Sequence, residues 1–152
     1  MDILPFEIEG RRYGLRFEDV REAVRAVAIT PLPGAPAVVE GVIDVRGELV
    51  PVMDVRAREG LPVRVLDPSE SLILAWAGGR LVCFRVDRLM EPATVTKEAI
   101  RSASEVATVA DHISGIVSLP DGLVLIQDLE RFLTPEELDR LGDALTAAGA
   151  SL

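Results

Sequence analysis

Few side chains in this chain could do covalent chemistry. His112 is the only histidine and Cys83 the only cysteine, so a Ser-His-Asp or Cys-His set, which needs an oriented base, would have to run through His112 alone. His112 stands in a polar stretch before Ile113 and reads as an exposed or strand-entry histidine. Cys83, between Val82 and Phe84 in an expected strand, reads as a small packed side chain, since nothing near it in sequence would lower its pKa. Asp44, Asp54, Asp87 and Asp128 fall at expected strand ends. Two of them could meet as a catalytic pair, but acids there usually cap turns or helices. Neither GxGxxG nor GxxxxGK[ST] occurs, which removes the glycine-rich phosphate cradles. The expectation is a protein that is not an enzyme and holds no cofactor and no metal. A small enzyme or ligand-binding β-barrel protein is the alternative that a bound metal or metabolite would revive.

Arg46 invites a different chemistry. It precedes Gly47 at the tip of an expected hairpin, Val42 to Val45 and Leu49 to Met53, within the run GVIDVRGELVPVMDV. A turn arginine is commonly just solvated, yet a planar cation with several donors on a fixed turn is also what protein interfaces use.

The elements that position these residues are written twice. Gly10 to Val20 lies over Gly79 to Leu89 without a gap, a separation of 69 (79 − 10). Gly41 aligns with Gly115 at a separation of 74 (115 − 41), and the second turn, Pro120-Asp121-Gly122, is expected to hold one extra residue that a later shift compensates. Two copies this long imply two related subdomains packed together rather than a solenoid. Alternation predicts a hairpin of Ile3 to Ile8 and Arg12 to Phe17, a helical turn from Phe17, and a strand over Val20 to Ile29. TPLPGAP is a rigid connection, with a short helix from Pro36 through Val39. Arg56 to Ser69 is expected to cross between lobes. A hairpin of Ser71 to Trp76 and Arg80 to Val86 follows, then a strand over Leu89 to Val95, a turn over Lys97 to Arg101 and a polar loop over Ser102 to Asp111. Thr134-Pro135-Glu136-Glu137 is a capping box that opens a helix with an apolar stripe of Leu138, Leu141 and Leu145. The tail from Ala147 is expected to fray.

Composition narrows the partners. With 152 residues, 49% of them hydrophobic, the chain can bury a core. A formal charge of −9, and Lys97 as the single lysine, work against phosphate-driven binding of nucleic acid. No apolar run approaches the ~20 residues of a membrane span, and no secretory pattern opens the sequence. These features predict a cytoplasmic protein without direct membrane insertion.

Taken together, LPGAPAVVEGVIDVRGELVPVMDVR resembles the signature region of the CheW family, the adaptors of bacterial chemosensory arrays. Tyr13-Gly14-Leu15 and Val20-Arg21-Glu22 fit the family pattern before it, and Arg85-Val86-Asp87 and Ile126-Gln127-Asp128-Leu129 fit it afterwards. Three positions depart from that pattern. Asp44 replaces an asparagine, Cys83 stands where glycine is frequent, and Gln127 replaces an apolar or acidic residue.

The resemblance implies a mainly β fold of two pseudo-symmetric small five-stranded β-barrel subdomains with a C-terminal helix. It implies one CheW-like domain over 1–152, with subdomains near 10–60 and 70–130 and the helix near 134–146. It also implies a non-catalytic scaffold, a monomer in isolation, that joins the regulatory domain of the histidine kinase CheA to the cytoplasmic tip of chemoreceptors. Carried over by position, Phe17, Glu22, Arg46 and Val82 match the receptor groove, and Ile29 and Leu49 match the kinase-facing end. A CheW-like adaptor of another chemosensory pathway, such as pilus-driven motility, is the nearest alternative.

Overall fold

A computed structural model describes residues 1–102 and 111–149. The N-terminal hairpin joins β1 (Asp2–Ile8) to β2 (Arg11–Arg16) through Glu9 and Gly10, whose φ angles are 53° and 72°. Two successive left-handed residues make a turn whose twist matches that of the strands it joins. A 3₁₀ turn over Phe17–Asp19 leads to β3 (Val20–Arg25), which is shorter than expected. Residues 26 to 29 leave the ladder. Thr30 then bonds back to Val42, its N–H reaching the Val42 oxygen at 2.9 Å and its own oxygen accepting from the Val42 N–H at 2.8 Å.

The expected helix at Pro36 does not form. A single turn there, with the Val39 N–H bonded to the Pro36 oxygen, feeds directly into β4 (Val39–Val45), which pairs with β5 (Glu48–Met53). A short helix that sequence reading missed follows, α1 (Val55–Glu59). Asp54 caps it by accepting from the Ala57 N–H, and Gly60, left-handed at φ 69°, ends it. Both cap residues were visible in the sequence, but five residues are too few for periodicity to register.

After a long connection come β6 (Ser71–Ala77) and β7 (Arg80–Val86). The expected strand over Leu89 to Val95 is instead two fragments, β8 (Arg88–Leu89) and β9 (Ala93–Thr94), both paired to β1. Pro92 falls in the break between them. A 3₁₀ turn over Lys97–Ala99 and β10 (Ile100–Ser102) follow. The predicted polar loop falls mostly outside the described residues. β11 (Ile113–Leu119), β12 (Gly122–Gln127) and α2 (Pro135–Ala147) complete the chain. The capping box forms as read, with Thr134 and Glu137 bonding each other's backbone. The last residues of the tail lie outside the description.

Two sheets result. One has seven strands in the order β10-β11-β12-β2-β1-β8, with β9 also on β1; the other has five in the order β3-β6-β7-β5-β4. Neither sheet closes into a barrel, but the expected mainly β fold of two small subdomains with a C-terminal helix is the one observed. The sheets also do not follow the expected boundaries of 10–60 and 70–130. Strands between Val20 and Val86 build the five-stranded sheet, and both ends of the chain build the other. Each copy of the repeat gives its first hairpin to the lobe that holds the second hairpin of the other copy.

The registers show the duplication. Gly14 pairs with Ile126 in the parallel junction of β2 with β12, and Cys83 pairs with Val52 in that of β7 with β5. Those positions correspond under separations of 69 (83 − 14) and 74 (126 − 52). The second hairpins match throughout as well, since Val45 faces Glu48 and Leu119 faces Gly122. Both turns therefore hold two residues, and the extra residue expected in the second is absent.

Strand alternation divides the apolar side chains into three cores. Leu72, Leu74, Leu81 and Cys83 fill the five-stranded lobe, and Ile3, Val117, Val124 and Ile126 fill the other. The opposite strand faces, including Phe6, Tyr13, Met53 and Phe84, meet between the lobes with Leu141 and Leu145 of α2. A fully buried side chain such as Phe84, at 0% exposure, contributes about 1.5–3 kcal/mol.

Candidate functional site

Arg46 is not a freely solvated turn residue. The turn itself is fixed, because the Asp44 carboxylate accepts from the Gly47 N–H at 2.7 Å and Arg46 holds a left-handed φ of 52°. From that base the guanidinium reaches β3, where Nη2 donates to Glu22 Oε2 at 2.7 Å. Arg21 Nε lies 3.3 Å from the same oxygen, and Arg21 Nη1 donates to Glu48 Oε1 at 3.1 Å. The Arg46 hydrogen bond, followed by the nearby charge of Arg46 and Arg21, holds the Glu22 carboxyl below its ordinary value. Two of the expected groove residues thus meet on an exposed surface.

Beside them opens a cleft of about 740 Å³ between α2 and the three inner strands of the five-stranded sheet, β5, β6 and β7. Leu49, Met53, Trp76, Val82, Leu138 and Leu141 give it an apolar floor, and Glu48, Glu130, Asp139, Asp143 and Arg80 also line it. Glu48 belongs to both features, so the charged network borders the cleft. Leu49, Trp76 and Leu138 are exposed. The predicted stripe on α2 lines the cleft throughout, with Leu141 and Leu145 buried at its base and Leu138 exposed.

Val82, expected in the receptor groove, and Leu49, expected at the kinase-facing end, line this one cleft. Phe17 is exposed on its 3₁₀ turn, outside that lining. Ile29 is partly buried against the core of the five-stranded lobe. Cys83 faces that same interior, so its replacement of glycine does not reshape the cleft. Sequence reading missed Trp76, Leu138, Arg21 and Glu48. Only the aromatic type of Trp76, beside a hairpin turn, carried a signal.

The candidate acids remain apart and act as caps or clamps. Asp54 caps α1, and Asp128 accepts from the Glu130 N–H at 3.1 Å. Asp87 accepts from the Glu9 N–H at 2.9 Å and from Arg56 Nη2 at 2.6 Å. Arg56, buried, also bonds Glu9 and the Pro62 oxygen, tying α1 to both lobes. Arg85 is buried with Glu70, donating from Nε at 2.6 Å and from Nη2 at 3.1 Å, and it reaches Glu40 and the Arg64 oxygen as well.

His112 is not exposed. It is buried immediately before β11, with Nε2 2.5 Å from Glu59 Oε1, and its ring meets Phe132 edge-on. Burial opposes the Glu59 charge, yet the hydrogen bond and charge of His112, with Gln127 and Arg11 adding to them, together lower the carboxyl's pKa. Among the described residues no group of three or more His, Cys, Asp or Glu is placed to hold a metal. None of the described helices is long and apolar enough to cross a membrane.

Comparison with known proteins agrees with this architecture. A profile of the CheW-like domain matches residues 2–137. The chemotaxis protein CheW of Treponema pallidum is 26% identical over 148 residues, covering 93% of this chain and 86% of that protein. The chemotaxis protein CheW of Klebsiella aerogenes is 27% identical over 139 residues, covering 90% of this chain and 84% of that one. The crystal structure of the scaffolding protein TtCheW from Thermoanaerobacter tengcongensis superposes with a TM-score of 0.81 at 28% identity, covering 90% of this chain and 94% of that one.

Proposed function

This chain belongs to the CheW-like domain family, and we propose on that premise that it is a non-catalytic cytoplasmic adaptor that couples chemoreceptors to a histidine kinase of the CheA type. The observation that supports this most directly is the Arg46–Glu22 pair. Two residues expected at a receptor groove, one on β3 and one on the β4–β5 turn, meet at 2.7 Å with 65% of the Arg46 side chain still exposed. A helical receptor tip would gain apolar burial along the adjoining cleft and orientation from the arginine, a division of labour usual at interfaces. Leu49, exposed on its hairpin at the margin of that cleft, and Ile29, against the core of the five-stranded lobe, remain the positions assigned to the kinase. The charge of −9 opposes self-association and suits a monomer that meets its partners weakly.

Co-sedimentation tests the proposal. Membranes bearing the chemoreceptor should bring down the kinase only when this protein is added. A kinase that sediments equally without it, or an adaptor that stays in the supernatant with both partners present, overturns the reading.

A further inference from the structure

We propose that Arg21 is a positioning residue at this surface, one that lets Arg46 leave Glu22 and bond a carboxylate of the docked receptor. The inference rests on the receptor-docking reading above. Glu22 Oε2 is held twice, by Arg46 at 2.7 Å and by Arg21 Nε at 3.3 Å. Arg21 is itself anchored by Glu48 at 3.1 Å. The four side chains alternate in charge along β3 and the β4–β5 hairpin, so the group is neutral as a whole.

Arg46 commits one nitrogen, Nη2, to Glu22. A guanidinium carries five N–H donors in a planar fork, and with 65% of this side chain exposed most of that fork faces solvent. Its natural complement is planar and anionic, which is a carboxylate. The backbone beneath it is fixed by the Asp44 bond to Gly47, so an exchange of partner needs only rotation of the long side chain.

The second arginine settles whether such an exchange is favourable. If Arg46 were the only cation on Glu22, its departure would leave a bare carboxylate facing the incoming acid, and like charges at that range repel. Arg21 stays on Glu22 through the exchange, because Glu48 holds it from the other side. Exposed pairs of this kind contribute little to folding, so the network's consequence falls on recognition.

Two measurements test this. In the free protein, the Glu22 side-chain carboxyl is titrated by ¹³C NMR. Its pKa should be higher in the Arg21→Gln/Arg46→Ala double variant than in Arg46→Ala. Equal values in the two variants overturn the sharing. In parallel, binding to the purified cytoplasmic fragment of the receptor should weaken roughly 3–10-fold in Arg21→Gln and recover in Arg21→Lys, with the loss largest at low salt. Arg21→Gln binding as tightly as wild type overturns the proposal. Wild-type protein that does not bind the fragment overturns the receptor reading and the partner carboxylate with it, while the titration still decides the sharing of Glu22.

Discussion

Gly41 runs so close to Thr30 that a Cβ on it would stand 2.2 Å from the Thr30 carbonyl oxygen. That approach lets the chain beyond β3 lie along the edge of β4, where Thr30 pairs with Val42. Gly115 does the same against Arg101 in the other lobe, where the equivalent distance is 2.9 Å. Both neighbours are backbone, so neither can rotate away. Gly41→Ala should therefore destabilise the fold by about 3 kcal/mol, the upper end for overpacking, and Gly115→Ala by less. Urea unfolding midpoints compare them, and equal small losses would mean that the edge yields.

Arg56 carries the contact between α1 and both lobes. Arg56→Ala leaves Asp87, whose side chain is only 17% exposed, with the Glu9 N–H and Arg64 as its remaining partners, and should cost about 2 kcal/mol, as for a lost hydrogen bond between charged groups. Asp87→Asn in the same background should recover part of the loss. Calorimetric unfolding of the single and double variants reads both steps.

Acid should unfold the protein partly through Glu59, Asp87 and Glu137. Burial opposes each charge, but His112 at Glu59, the Glu9 N–H and Arg56 at Asp87, and the Thr134 N–H and Arg58 at Glu137 hold the folded pKa values low. Such groups give their full stability above the unfolded pKa, near 4, and lose it as pH falls through the lower folded value. Glu40 and Asp19, raised by burial, work in the opposite sense. Glu59→Gln should be less stable than wild type at pH 7 and converge with it by about pH 3. Unfolding temperature against pH measures this, and parallel curves would remove Glu59 from the account.

Arg46→Ala should leave the unfolding temperature within about 2 °C of wild type, as for other surface sites. Binding to the receptor fragment should weaken roughly tenfold or more, as at an interface hot spot. Arg46→Lys should restore it only in part, because an ammonium lacks the planar fork. A variant that unfolds, while its folded fraction binds normally, would make Arg46 a brace instead.

Cys83 should resist thiol reagents in the native protein. It is fully buried, and desolvation, with a smaller contribution from the charge of Glu40, pushes its thiol up to about 12. Mass spectrometry after alkylation should find it modified only in denaturant. Rapid native labelling would mean that the lobe opens.

By itself the sequence determined whatever acts over a few residues. The Glu9-Gly10 and Arg46-Gly47 turns, the hairpins they join and the capping box at Thr134 were readable because alternation, turn conformation and capping are local. The duplication was readable too, though the correct registration of the second turn needed the strand pairs. Tertiary structure alone decided which hairpin joined which lobe. Tyr13 meets Leu125 and Cys83 meets Val52 in parallel junctions, and such pairing depends on which apolar faces can be buried together rather than on local preference. For the same reason the sequence marked Glu22 and Arg46 separately as site residues but could not join them, nor show Arg21 and Glu48 beside them. Ion pairs between strands leave no periodic trace. His112 read as polar because its neighbours are polar, and it is buried because Glu59, from another element, satisfies it.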